Sequence, residues 1–181
     1  MKNLFLTILS LLLTMSTGLF GQVKFEAKIQ PEMSNLEFMV GSWDNESKFY
    51  GPDGKIRGNQ KFKQTVEPIL EGAIFNSKGY IITPQGDRQV GEGWVFYDVK
   101  VKEYVISAVD LQGNFDTFKS QTKKDRWVFI NSPKPFQDKE IIWKRIYYDI
   151  TRDEHKLSME YSLDGGKTWT LSNVQINKKT R

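Results

Sequence analysis

The sequence predicts an all-β protein, an antiparallel up-and-down barrel of about ten strands with a short N-terminal helical plug. Three observations predict it. Segments rich in aromatic and β-branched residues alternate with Gly, Pro, Asp and Asn turn signals at close spacing. No internal period of roughly 20–50 residues runs through the chain, which disfavours a solenoid or propeller. The longer links, around Pro68 and around Pro133 and Pro135, are still short. A Greek-key sandwich needs a long crossover, whereas a meander with tight turns loses its open edges by closing into a barrel.

Residues 1–21 read as a secretory leader. Lys2 gives a positive start, "LFLTILSLLL" (4–13) a short apolar stretch, and "MSTGLFGQ" small residues and a break. Cleavage is expected after Gly21, with Gly18 as the alternative because Leu19 is imperfect at the −3 position. A retained anchor needs about twenty apolar residues. Ser10, Thr14, Ser16 and Thr17 interrupt this stretch. The expected location is therefore periplasmic or secreted, with no membrane span once the leader is removed.

Residues 22–40 form a lead-in. In "PEMSNLEFMVGSW", Pro31 opens a segment with Met33, Leu36, Met39 and Val40 at helical spacing. A short helix or 3₁₀ segment plugging one barrel end is expected there, a simple extended lead-in being the alternative.

The barrel domain is expected over 41–181, with strands at 42–50, 55–66, 72–82, 88–98, 102–110, 114–122, 126–131, 139–150, 155–163 and 168–177. The ninth alternates best: Leu157, Met159, Tyr161 and Leu163 on one face, Ser158, Glu160 and Ser162 on the other. The seventh sets Trp127 and Phe129 against Val128 and Ile130, apolar on both sides. The eighth, "EIIWKRIYYDI", mixes apolar and charged residues on each face, which suits a closed barrel with a partly polar interior.

The last turn, "YSLDGGKTW", fits the S-x-D-x-G-x-T-W Asp-box pattern at Ser162 to Trp169. Its chemistry is local: a carboxylate that accepts turn N–H groups, glycines that take positive φ, and Thr168 with Trp169 pinning the returning strand. A single copy builds a hairpin clasp, not a propeller and not a glycosidase.

"LEFMVGSWDNESKFYGPDGK" (36–55) resembles the start of the DUF1579 family through Leu36, Phe38, Gly41 and Trp43. "GEGWVFYDVKVKEYVISAVDLQGNF" (91–115) resembles that family's middle through Tyr97, Asp98, Tyr104, Asp110 and Gly113. The resemblance implies a lipocalin-like barrel and no particular activity. Nitrobindin-type haem barrels are similar in architecture only.

Composition removes several chemistries. The chain has no cysteine, hence no disulfide, thiolate metal site, cysteine nucleophile or lipid-modified cysteine. The net charge is +4 for the whole chain, and loss of Lys2 with the leader lowers it by one. The basic residues fall in scattered pairs such as Lys61/Lys63 and Lys178/Lys179, not in a stripe that could track phosphates, so no nucleic-acid partner is expected. No cofactor is expected.

The only histidine, His155, lies in "TRDEHKL" beside Asp153, Glu154 and Lys156. It is expected as an exposed turn residue, neither a triad base nor a haem ligand, and these neighbours offer at most a weak surface metal site. No catalytic or metal-binding residue is assigned. Ligand contacts are expected from Trp94 and Phe96 on the fourth strand and from Trp143, Arg145 and Tyr147 on the eighth. An inward Arg–Tyr pair can clamp a carboxylate, because Arg offers a fixed donor fork. The alternative is an Arg facing solvent beside Asp149.

The expected function is an exported lipocalin-like barrel that binds a small hydrophobic or amphipathic ligand. One rival is an enzyme acting on a lipid or sugar in the same cavity, with Glu160 or Asp110 as its acid. A second is a ligand-free structural or interaction protein.

Overall fold

Turn chemistry divides the described residues into eleven strands. A computed structural model describes residues 31–121 and 126–180. The expected leader, the first part of the lead-in and the tip of the turn after the sixth strand lie outside those residues. The strands are β1 (Gly41–Tyr50), β2 (Ile56–Ile69), β3 (Ile74–Thr83), β4 (Gly86–Asp98), β5 (Glu103–Asp110), β6 (Phe115–Ser120), β7 (Trp127–Asn131), β8 (Lys134–Phe136), β9 (Lys139–Tyr148), β10 (Glu154–Ser162) and β11 (Thr170–Lys179).

Each strand pairs antiparallel with the next around the ring, β8 excepted, and β11 returns to pair with β1. Ten strands therefore close a barrel. β8 is the addition: it extends the β7 side of β9, within the expected turn at 132–138. Closure sets Trp43 opposite Lys179, Asn45 opposite Asn177 and Ser47 opposite Gln175.

Directly opposed residues share a face. The register therefore carries one inward row from Trp43, Asn45 and Ser47 around the ring to His155, Leu157, Asn177 and Gln175. On one side this interior is apolar, built from Val66, Phe75, Val95, Ile106, Phe118, Phe129, Tyr147 and Leu157. On the other it is polar. Gln64 donates to Ser77 Oγ at 2.8 Å and Asn45 to Gln64 Oε1 at 3.4 Å. Ser47 donates to Gln175, Gln175 to Asn177, and Asn177 to the carbonyl of His155 at 3.2 Å. Bonded to one another, these amides avoid much of the cost of burial.

The plug is a nine-residue 3₁₀ helix, Pro31–Met39. Met33, Leu36 and Met39 are its buried residues. Their spacing of three places them along one edge at three residues per turn, which explains why the tighter helix forms here. Trp43 Nε1 donates to Met39 O at 2.8 Å, and Tyr104 Oη donates to Glu32 O at 2.9 Å. Both bonds hold the plug in the barrel end. Gly41 enters β1 with φ of +134°, which a side chain would oppose, and the Lys179 stem packs where its Cβ would lie. The Gly-x-Trp entry thus lets the chain turn from plug to strand.

Candidate functional site

A cavity of about 300 Å³ occupies the barrel between the plug and the β5–β6 turn. Small residues make one wall: Ser77 and Gly79 on β3, Gly91 and Gly93 on β4, and Ala108 on β5. They face one another in register, Ser77 with Gly93, Gly79 with Gly91, and Gly93 with Ala108. Side chains missing from one face of three adjacent strands leave the space. Two of these glycines differ in character. A Cβ on Gly93 would meet Ser107 O at 2.7 Å, so that glycine serves the sheet. A Cβ on Gly79 would meet nothing within 4 Å, so it opens onto free volume.

Arg145 and Tyr147 of β9 line the cavity as well, with Met39 of the plug. Arg145 points inward because it pairs between Phe129 and Met159, both on the inner face. Its guanidinium carbon lies 4.2 Å from the centre of the Phe118 ring. Its buried Nε has no hydrogen-bond partner among the described residues. Tyr147 is buried, and that burial pushes its phenol above the usual range, partly offset by the charge and hydrogen bond of Arg145.

Trp143 shares this inward face, but it packs against Tyr161 with centroids 5.5 Å apart and does not line the cavity. Trp94 and Phe96 alternate with the buried, inward Gly93 and Val95, so their side chains sit on the outer face of β4. Trp94 borders the cavity wall; Phe96 does not. Of the five expected contact residues, the structure thus brings Arg145 and Tyr147 together at the cavity. The residues missed in sequence are the small ones. Their signal was there in Gly91-x-Gly93, two glycines on one face of a strand, which marks close approach or space.

His155 corrects an expectation. It is not in an exposed turn; only 3 % of its surface is accessible. β10 begins one residue earlier, at Glu154, and alternation turns His155 inward. Its ring packs against Trp43 (4.6 Å between centroids), Phe38 (5.4 Å) and Tyr147 (5.9 Å). Its Nδ1 is buried and unpartnered, and burial lowers its pKa to about 4. Aromatic neighbours surround the ring and it does not line the cavity. Among the described residues no group of three or more His, Cys, Asp and Glu is placed to hold a metal ion.

The two candidate acids are engaged elsewhere. Glu160 points away from Met159 and Tyr161 and pairs with Lys144 at 2.5 Å. Asp110 lies at the cavity mouth, where it accepts bonds from Asn114 Nδ2 (2.9 Å), Asn114 N (3.0 Å) and Gln112 N (2.8 Å). The Asn114 side-chain bond is the largest influence lowering its pKa. A carboxylate held ionised is a poor general acid at neutral pH.

The Asp-box hairpin lies between β10 and β11, and none of its residues lines the cavity. Asp164 accepts from Lys167 N (3.0 Å), Thr168 N (2.9 Å), Thr168 Oγ1 (2.6 Å) and Ser162 Oγ (2.7 Å). Gly165 and Gly166 take φ of +73° and +88°. These bonds, that of Thr168 Oγ1 foremost, hold the carboxyl far below its usual range.

Fold and site together define a class: a closed ten-stranded antiparallel β-barrel, plugged at one end, with a small internal cavity. The solved crystal structure of Rv2717c from M. tuberculosis is similar, with a TM-score of 0.56 and 12% sequence identity. The likeness covers 85% of this chain and 100% of that one, and at such identity it shows the fold alone. No protein-family model matches the chain, and no curated protein does.

Proposed function

We propose that this protein is an exported, lipocalin-like binding barrel that holds a small hydrophobic or amphipathic molecule in its central cavity. The cavity carries the proposal. Its volume of about 300 Å³ is at the lower end of the range for ligand pockets. Its lining mixes apolar side chains (Val66, Val95 and Ile106) with polar ones (Arg145, Tyr147 and Gln64), and convergent polar groups are what fix a ligand's orientation in such pockets. Export rests on the leader pattern of residues 1–21, and kinship with the DUF1579 family rests on the Leu36 to Trp43 and Tyr97 to Gly113 motifs. Among the described residues no helix is long and apolar enough to cross a membrane.

Trp94, on the strand that forms the cavity wall, and Trp43, in the aromatic cluster next to Tyr147 of the cavity, supply reporters. Titration with fatty acids, retinoids, bile acids and tetrapyrroles is expected to give a saturable change in tryptophan fluorescence for the smaller amphipathic members. A flat response to every compound, with no small molecule co-purifying in native mass spectrometry, would refute the reading.

A further inference from the structure

We infer that the ligand is a medium-chain monocarboxylate, held with its acid group on Arg145 and its tail against the glycine wall of β3 and β4. This rests on the binding-barrel reading and adds the chemical class.

The hydrogen-bond partners of the charged groups around the cavity lead there. Four charged residues line it: Arg145, Glu92, Asp110 and Asp116. Each of the three acids has its own hydrogen-bond partners, and Asp116 has a cation as well. Glu92 accepts from Asn76 at 2.9 Å and Gln89 at 3.4 Å. Asp110 is taken up by Asn114 and Gln112. Asp116 accepts from Asn131 at 3.1 Å and pairs with Lys134 at 2.6 Å. Among the described residues no acid pairs with Arg145, whose Nε–H is buried without an acceptor. The guanidinium rests on the Phe118 ring and bonds Tyr147, so the buried Nε–H is the donor left for a bound anion to complete. A guanidinium fork matches a carboxylate best.

The rest of the site restricts that anion. One guanidinium balances one negative charge, and the acids at the mouth repel a second, which disfavours a phosphate dianion. On the opposite wall Gly79 and Gly91 leave room for a tail, and Val66, Val95 and Ile106 supply apolar lining. At the roughly 30 Å³ that a water-sized atom fills, the cavity holds about ten heavy atoms. Octanoate has that size.

Calorimetric titration of the full chain with octanoate, 1-octanol, octylammonium and octyl phosphate tests the assignment. Octanoate is expected to bind at least tenfold tighter than the other three. Arg145→Met should erase the octanoate preference over octanol, Arg145→Lys should keep part of it, and Gly79→Leu should abolish binding of both. Octanol, octylammonium or octyl phosphate matching octanoate would overturn the inference while leaving the binding barrel standing. So would an unchanged preference in Arg145→Met. Failure of all four probes on the wild-type chain would count against both. Should Arg145→Met fail to fold, the wild-type ranking and Arg145→Lys still decide.

Discussion

Trp43 and His155 meet edge to face inside the barrel, their ring centroids 4.6 Å apart. β11 separates their strands, so the contact ties the first strand to the tenth across the seam that closes the ring. Phe38 of the plug reaches the same histidine, and Tyr147 carries the contact on to the cavity wall. Plug, seam and cavity thus share one aromatic cluster.

The cluster predicts a pH dependence. His155 is held neutral, with its pKa lowered from 6.5 to about 4. Between those values the unfolded chain binds a proton that the folded one does not, so stability falls as pH drops from 6.5 to 4 and this loss levels off below. The loss is on the order of 3 kcal/mol. Urea unfolding at stepped pH should show it, and His155→Phe should flatten the curve in that window.

Trp43 is 1 % exposed and bonds the plug through Met39. Trp43→Ala should cost about 3–5 kcal/mol, the usual range for emptying an aromatic core site. Chemical denaturation measures this. A loss under 1 kcal/mol would mean that the plug and seam do not depend on this residue.

The two cavity glycines should behave differently. Gly93→Ala drives a methyl to within 2.7 Å of Ser107 O and should destabilise by roughly 1–3 kcal/mol. Gly79→Ala meets open space and should be neutral or stabilising by up to about 1 kcal/mol, through the unfolded chain. Equal losses at both sites would contradict the placement of the cavity.

Asp164 anchors the last hairpin with its carboxyl held ionised. A depressed carboxyl stabilises the fold above the unfolded pKa of about 3.9 and loses that contribution as pH falls toward the folded value. Asp164→Ala should therefore lower the melting temperature at neutral pH and soften the acid transition. Ligand affinity should hardly change, since the hairpin lies outside the cavity. A collapse of affinity with stability intact would make this loop part of the site.

Turns and the ten barrel strands were legible in the residues because their causes are local. Asp164 finds every partner within four positions, and Gly165 and Gly166 need only their own backbone freedom. β8 was missed because Lys134–Phe136 is three residues long, carries a proline and sits in a Pro-rich link, so nothing local marks it as a strand. Arg145 was ambiguous in sequence, since both faces of its strand mix apolar and charged residues. Its flanking pairs, Phe129 and Met159, settled the direction. His155 misled for the opposite reason: charged neighbours imitate a turn, while its partners Trp43 and Phe38 lie far away in the chain.

The chain's own short-range chemistry fixes where the ten barrel strands turn and how the final hairpin is clasped. Register around the closed ring decides which side chains face inward, where the small residues of β3, β4 and β5 coincide, and that Arg145 and Tyr147 look onto the space they leave. A strand's two faces differ by a single residue of slip, and only pairing with distant strands removes that freedom.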